Sequence, residues 1–312
     1  MSAPVLSPTN DAITRAADLL RSGGLVAMPT ETVYGLAANA ANAEAIARLY
    51  AAKGRPRFNP LIAHVASLEM AQAQGAFSRQ ALELVEAFWP GPLTLVVEVS
   101  EHCTVSDLAR AGLPSLALRM PDHPVAQSLL SEFGGPLVAP SANPSGKISP
   151  TRAEHVATDM GDRVELILDG GTCTAGLEST IIDARGDRPA LLRPGSLDPA
   201  EIERVWPGLI RPEANPDAPQ SPGQMLRHYA PNAKLRLHAA TPDEGEAFLG
   251  FGPGEATLNL STSADLAEAA ANLFGMLREL DQRYDRIAVA PIPSHGLGEA
   301  INDRLTRAAK TA

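Results

Sequence analysis

The run Ile13-Thr14-Arg15-Ala16-Ala17-Asp18-Leu19-Leu20-Arg21-Ser22-Gly23-Gly24-Leu25-Val26-Ala27-Met28-Pro29 changes from helical to extended spacing within a few residues. Ile13, Ala16, Ala17 and Leu20 recur at three- and four-residue intervals, which puts them on one face of a helix. Thr9 or Asn10 can cap its start, and Gly23-Gly24 stops it. Leu25 to Met28 is then continuously apolar, as expected of a strand buried on both faces, and Pro29 ends it. The same alternation continues downstream. Helical spacing covers 43–53, 79–88, 125–133 and 152–160, and strand-like runs cover 61–65, 93–99, 115–119, 137–139, 164–168 and 180–183. Helices interleaved with short apolar strands predict an α/β unit with a mixed sheet, ending near Leu197.

The next segment changes character. Between 198 and 232 stand Pro199, Pro207, Pro212, Pro216, Pro219, Pro222 and Pro231, so an extended, stiff connector is expected. A second, smaller α/β unit follows, with strands near 234–238, 256–260 and 286–290 and helices at 263–283 and 297–309. It is small for an independent doubly wound unit and should lean on the larger one. The reading is therefore a large α/β domain over 8–197, a linker over 198–232 and a small Rossmann-like domain over 233–312.

Composition narrows the function. The chain has 312 residues, 45% of them hydrophobic and 20% charged, an ordinary globular balance. Lys and Arg number 26 against 36 Asp and Glu, a net charge of -10, so general binding of nucleic acid or an anionic membrane is not expected. Aromatic residues make up only 4%, too few for a base-stacking RNA platform. Cys103 and Cys173 suit a reduced protein without a disulfide framework. With no secretory signal or spanning segment read at the N-terminus or beyond, a soluble, cytoplasmic protein is expected.

Against that acidic background one window is inverted. No acidic residue lies between Glu44 and Glu69, while Arg48, Lys53, Arg55 and Arg57 all do. Lys53-Gly54-Arg55-Pro56 falls where a helix ends, and such a cluster in a polar loop suits phosphate or carboxylate. Cations completing a helix C-terminus are the competing explanation. Two further stretches follow strands: Pro29-Thr30-Glu31-Thr32-Val33-Tyr34-Gly35-Leu36 and Pro140-Ser141-Ala142-Asn143-Pro144-Ser145-Gly146. In open α/β sheets, loops at the carboxyl ends of strands bind ligands, although a plain turn accounts for the first stretch equally well and for the second better than a site does. In the connector, Ser221 to Pro231 concentrates Arg227, His228 and Tyr229, for a site or for docking onto a domain. No P-loop, dinucleotide fingerprint, nucleophile elbow or zinc-protease motif is present, and Gly250-Phe251-Gly252-Pro253-Gly254 completes none of them. The seven histidines lack ligand spacing, so no protein-held transition metal is expected.

Taken together, G-G-L-V-A-M-P-T-E-T-V-Y-G-L, A-K-G-R-P-R-F-N-P-L-I-A-H, W-P-G-P-L-T-L, L-A-L-R-M-P, A-P-S-A-N-P-S-G and L-E-S-T-I-I-D resemble the threonylcarbamoyl-AMP synthase family with its YrdC-like domain. S-P-G-Q-M-L-R-H-Y-A-P and G-L-G-E-A-I-N-D-R-L-T-R-A-A resemble its long, two-domain branch. The resemblance runs nearly the length of the chain and implies a YrdC-like domain with a twisted mixed sheet. It also implies a reaction in which L-threonine, bicarbonate and ATP give threonylcarbamoyl-adenylate and pyrophosphate. Mg²⁺ would arrive with ATP, and the product would pass to a separate tRNA threonylcarbamoyl transferase system.

By the same resemblance, Lys53, Arg55, Ser141 and Asn143 form the catalytic signature. Arg55, Asn59, Ser115, Ser141, Ser149, Arg193 and Tyr229 would contact ATP. Thr32, His64, Arg119, the backbone at Ala139 and Ser179 would hold threonine. Phe58 departs from the small or polar residue expected at its position. Two alternatives compete with this reading. A protein acting directly on tRNA or ribosomes through the Lys53–Arg57 patch conflicts with the acidic balance. A carbamoyltransferase maturation module would carry cysteine clusters that two cysteines cannot supply.

Overall fold

The computed structural model describes residues 2–213 and 228–310. Its elements, in chain order, begin with β1 (Val5–Leu6), α1 (Asn10–Arg21), β2 (Val26–Met28), β3 (Gly35–Asn39), α2 (Ala43–Lys53) and β4 (Ile62–His64). Next come α3 (Leu68–Gln74), β5 (Gly75–Ala76), α4 (Arg79–Phe88), β6 (Leu93–Val99), β7 (Ser115–Arg119), α5 (Pro124–Phe133) and β8 (Leu137–Val138). The larger unit closes with α6 (Ala153–Met160), β9 (Leu166–Leu168), β10 (Thr180–Asp183), β11 (Ala190–Arg193) and α7 (Pro199–Val205). The smaller unit holds β12 (Lys234–Arg236), β13 (Ala247–Gly250), β14 (Leu258–Asn259), α8 (Leu266–Asp281), β15 (Arg286–Val289) and α9 (Leu297–Ala308).

Among the described residues the larger unit has one mixed sheet in the order β1-β9-β2-β3-β8-β4-β7-β6-β10-β11, with β5 added to β6. The smaller unit has four parallel strands in the order β12-β15-β13-β14. Local chemistry explains the element ends. Thr9 caps α1, Asn42 caps α2 through two backbone N–H groups, and Gly54 ends α2 in the left-handed conformation. Alternation along β4 then decides what faces where. Leu61, Ala63 and Val65 enter the main core, whereas Ile62 joins Val96, Ala117 and Ile181 in a small apolar patch elsewhere. That second side of the central strands carries the cleft described below.

Several expectations change. The turn-rich stretch after Met28 continues into β3, which pairs antiparallel with both β2 and β8, and the tight turn at 29–34 makes that possible. Edge strand β1 pairs with β9, so the larger unit starts before residue 8. The segment from 198 onward is not extended throughout. Asp198 caps α7, and Ile202 and Trp206 enter the main core. Ile210 bridges back to Ala190, so the larger unit runs past Leu197. Residues 214–227, including Ser221 to Arg227, lie outside the described residues. Among the described residues no helix is long and apolar enough to cross a membrane.

The two units share one apolar cluster, in which Val33, Ile148 and Leu177 of the larger unit meet Phe274, Leu277 and Ile301 of the smaller one. Gly176 has φ +70°, and a Cβ there would lie 2.5 Å from the Ala271 backbone of α8. Gly112 has a similar φ of +75° but open space around it. Gly112→Ala should therefore cost only the backbone strain, about 1 kcal/mol. Gly176→Ala should cost clearly more, because it also forces α8 off the larger unit. Denaturant unfolding of both variants checks the comparison, and equal losses would refute it.

Candidate active site

The cleft lies across a face of the central strands rather than only at their carboxyl ends. Its wall includes Ile62 and His64 of β4, Arg119 of β7, Arg193 of β11, and loop residues Thr32, Val33, Ala139, Pro140, Ser141, Glu178 and Ser179. Arg55 closes one side, and His228 and Tyr229 of the connector line another. The register explains the grouping: His64 sits opposite Arg119, and Ile62 opposite Ala117. The loop after β8 is stitched to β3, with Leu36 N–H donating to Pro140 O and Ala142 N–H to Tyr34 O. Arg55, Arg119 and Arg193 therefore converge on one space from distant parts of the sequence.

Most of these arginines are held by backbone carbonyls. Arg55, 8% exposed, donates from Nε to Asn59 O (3.3 Å) and from Nη2 to Pro60 O (2.9 Å). Arg193 donates to Ser179 O from Nη2 at 2.8 Å. Arg119 donates from Nη1 to Thr32 Oγ1 (2.9 Å), from Nη2 to Glu31 Oε1 (2.6 Å) and from Nε to Gly91 O (3.3 Å). Burial, with the nearby Arg193 charge, pulls the Arg55 pKa down to about 10, which leaves it charged at neutral pH. Carbonyls hold a guanidinium without cancelling its charge, so the cleft keeps a positive field.

Lys53 differs from its sequence-based expectation. It is the last residue of α2, buried, and its Nζ donates to Ser141 O and Asn143 O. Lys53 therefore braces the 141–143 loop from behind and is absent from the cleft wall, and neither it nor Arg55 sits in an open polar loop. Burial, then the Arg55 charge, holds its pKa well below that of an ordinary lysine. Asn143 also lies behind the wall, its Nδ2 tying Pro144 O and Lys147 O, while its buried Oδ1 has no partner.

Ser149 reaches the wall indirectly, donating to Glu178 Oε1 at 2.5 Å. Asn59 lies beside Arg55, and its buried Oδ1 also lacks a partner. Ser115 opens β7 opposite Glu98, at the far end of the strand from Arg119. Phe58 is 54% exposed in the loop leaving α2. Ser179 Oγ shares a 2.7 Å hydrogen bond with Thr94 Oγ1.

Glu178 lines the cleft without having been singled out by sequence reasoning, and His228, read with the connector as part of a site or a docking segment, lines it too. Burial raises the Glu178 pKa, but Arg304 and Arg193 outweigh it and bring it down to about 2. Its signal was an acidic residue inside the otherwise apolar and hydroxylic L-E-S-T-I-I stretch that precedes Asp183. His64 and His228 are both pushed down to about 3, chiefly by burial, and each has a buried Nδ1 without a partner among the described residues. Tyr229 is 1% exposed and adopts φ +64°, a strained conformation for a side chain this large. Its ring stacks on Phe274 of α8 at 5.6 Å.

Fold and cleft together define a two-unit α/β protein with a cationic site for a polyanion. A family model described as "Telomere recombination", covering the Sua5, YciO and YrdC proteins, matches residues 18–195. A second, described as "Threonylcarbamoyl-AMP synthase, C-terminal domain", matches residues 197–310. The chain belongs to the threonylcarbamoyl-AMP synthase family, of the two-domain Sua5 type.

Similarity extends across the whole protein. The threonylcarbamoyl-AMP synthase of Bacillus subtilis is 39% identical over 97% of this chain and 94% of its own. That of Schizosaccharomyces pombe is 36% identical over 97% and 89% respectively. The crystal structure of Pyrococcus abyssi Sua5 complexed with L-threonine superimposes with a TM-score of 0.88 at 40% identity, covering 95% of this chain and 94% of that one.

Two predictions follow from the burial of charged and titratable groups. Lys53→Ala leaves two loop carbonyls without their donor, at about 1–3 kcal/mol each. It should lower the melting temperature as well as activity, and an unchanged melt would show that the loop stands without it. For His64 and His228 the folded pKa lies below the unfolded value of about 6.5, so as pH falls the unfolded chain binds the protons first. Stability should be full above about pH 6.5 and decline toward pH 3, by about 1.4 kcal/mol per pH unit for each histidine. Melting at pH 7.5 and pH 5 should show a smaller drop for His64→Gln than for the natural chain.

Proposed function

We propose that the cleft makes threonylcarbamoyl-adenylate and pyrophosphate from L-threonine, bicarbonate and ATP. The observation that supports this best is the convergence of Arg55, Arg119 and Arg193 on one cleft, with Glu178 as the single carboxylate among the described residues of its wall. The reaction brings two anions together: the carbamate formed on threonine's amine attacks the α-phosphorus while pyrophosphate leaves. Fixed positive charge and in-line placement are what such a step needs, and no covalent protein intermediate is required.

Roles divide along the wall. Arg55, Ser141 and Arg193 face the phosphates, with Asn59 beside Arg55 and Ser149 behind Glu178. Thr32, His64, Ser179 and the Ala139 backbone receive threonine. Arg119 keeps guanidinium N–H groups beyond those used by Glu31 and Thr32 for its carboxylate. His64, neutral at physiological pH, can accept or donate a hydrogen bond without adding charge. Lys53 and Asn143 shape the loop that presents Ser141.

Among the described residues no group of three His, Cys, Asp or Glu side chains could hold a metal ion. Both Glu178 oxygens are engaged, by Ser149 and by Arg304 of α9. We read Mg²⁺ as arriving on the nucleotide's phosphates, where it would shield their charge. The product is passed to a separate tRNA threonylcarbamoyl transferase system in the cytoplasm.

The cleft encloses only about 50 Å³ with His228 and Tyr229 in place. Ligand sites of this kind need several hundred, so the cleft must widen to admit ATP, and His228 and Tyr229 are the connector residues in its lining that would lift as a lid. Closing it afterwards excludes water from a labile carbamate and a labile mixed anhydride.

Pyrophosphate release should require threonine and bicarbonate together with ATP, and mass spectrometry should detect the adenylate. Equal release from ATP alone would make the protein a hydrolase. Tyr229→Ala should lower adenylate yield relative to ATP consumed, because the lid no longer shields the intermediate. An unchanged yield would leave the connector a spacer.

A further inference from the structure

Arg304 belongs to α9 of the smaller unit, yet it is 1% exposed and its side chain ends behind the cleft wall. Its Nε donates to Glu178 Oε2 at 2.8 Å, and its Nη1 to Pro194 O at 2.9 Å and Asp303 Oδ2 at 2.8 Å. Its guanidinium carbon lies 5.1 Å from the Tyr229 ring centroid, a cation–π distance. Phe274 of α8 stacks on the same ring. One cation from the smaller unit therefore touches the cleft's carboxylate and its lid.

We propose that Arg304 is a positioning residue of the active site, and that the smaller unit serves to deliver it. Glu178 is a negative charge in the wall of a site built for a triphosphate. Arg304 neutralises it from behind, which lessens its pull on the neighbouring Arg193 and Arg55. It also holds the Tyr229 ring in its strained closed position. Without Arg304 the other arginine whose charge acts on Glu178 is Arg193, so the carboxylate competes with the nucleotide for its field. Replacing a buried pair by apolar groups is often neutral for stability, whereas removing one partner strands a charge. The cost here falls on function because the stranded carboxylate borders the cleft.

This inference rests on the cleft being the adenylate-forming site, and the test separates the two. Product formation by the natural chain tests the reaction. Steady-state kinetics and ATP calorimetry on full-length Arg304→Met, Arg304→Lys, Glu178→Gln and the Arg304→Met/Glu178→Gln pair test Arg304. Arg304→Met should raise the ATP KM and Kd by about tenfold or more, the scale of one charge-assisted hydrogen bond, and lower kcat, with the threonine KM changing less. Arg304→Lys should fall between it and the natural chain. Glu178→Gln in the Arg304→Met background should recover most of the ATP affinity by removing the stranded charge. Cooperative melting of each variant fixes the folded fraction. If Arg304→Met does not fold, Arg304→Lys with and without Glu178→Gln is read in the same way. Natural ATP affinity in a folded Arg304 variant, or no recovery in the double variant, would leave Arg304 a packing residue and overturn the proposal.

Discussion

The cleft depends on keeping positive charge out of water without cancelling it. Arg55, Arg119 and Arg193 are all less than a tenth exposed, as is Lys53 behind them. Carboxylate partners for each would satisfy them and remove the field that attracts a polyanion. Backbone carbonyls do otherwise: Asn59 and Pro60 hold Arg55, Ser179 holds Arg193, and Ser141 and Asn143 hold Lys53. A carbonyl dipole offsets part of the desolvation and leaves the net charge intact. Where carboxylates do appear, each serves a definite geometry. Glu31 aims Arg119, and Glu178 is balanced by Arg304 from outside the cleft.

That constraint accounts for the shape of the surrounding loops. Carbonyls can converge on a cation only where the chain turns away from its ladder, so the cations are met at 53–60, 139–144 and 178–179. Proline stands at positions 56, 60, 140 and 144. It withholds N–H groups while leaving carbonyls free, which suits loops that must accept more than they donate. The 141–146 loop also donates Ser145 N–H to Lys53 O and supplies Gly146 O to Ala230 N–H. Helix α2, the cleft wall and the lid are thereby tied into one unit.

The smaller unit completes this arrangement. Its parallel sheet and two helices share a core with Val33, Ile148 and Leu177, residues adjacent in sequence to Thr32, Ser149 and Glu178. Packing between the units therefore acts directly on the backbone of the cleft wall. The Asp159–Arg278 pair, at 2.6 Å, adds a second polar tie at the other end of α8.

Much of this was legible along the chain. The α/β alternation, the inverted charge window and the hydroxyl-rich loop after Leu137–Val138 are local features, set by side-chain spacing and by residues whose backbone preferences are strong. The motifs named Arg55, Ser141, Arg193 and Tyr229, and all four line the cleft. Other features are not local. Lys53 reads as a free cation because nothing near it in sequence reveals the Ser141 and Asn143 carbonyls it holds. Glu178 reads as one acid in a strand edge until Arg304, far along the chain, is brought against it. Proline content made 198–232 look extended, but Ile202 and Trp206 found an apolar surface to cover and α7 formed. The sequence by itself determined the elements and the kinds of charge available, because propensity and spacing act over a few residues. Only the tertiary structure decided which charges face the cleft and which brace its wall, because burial and pairing are set by what arrives from elsewhere in the chain.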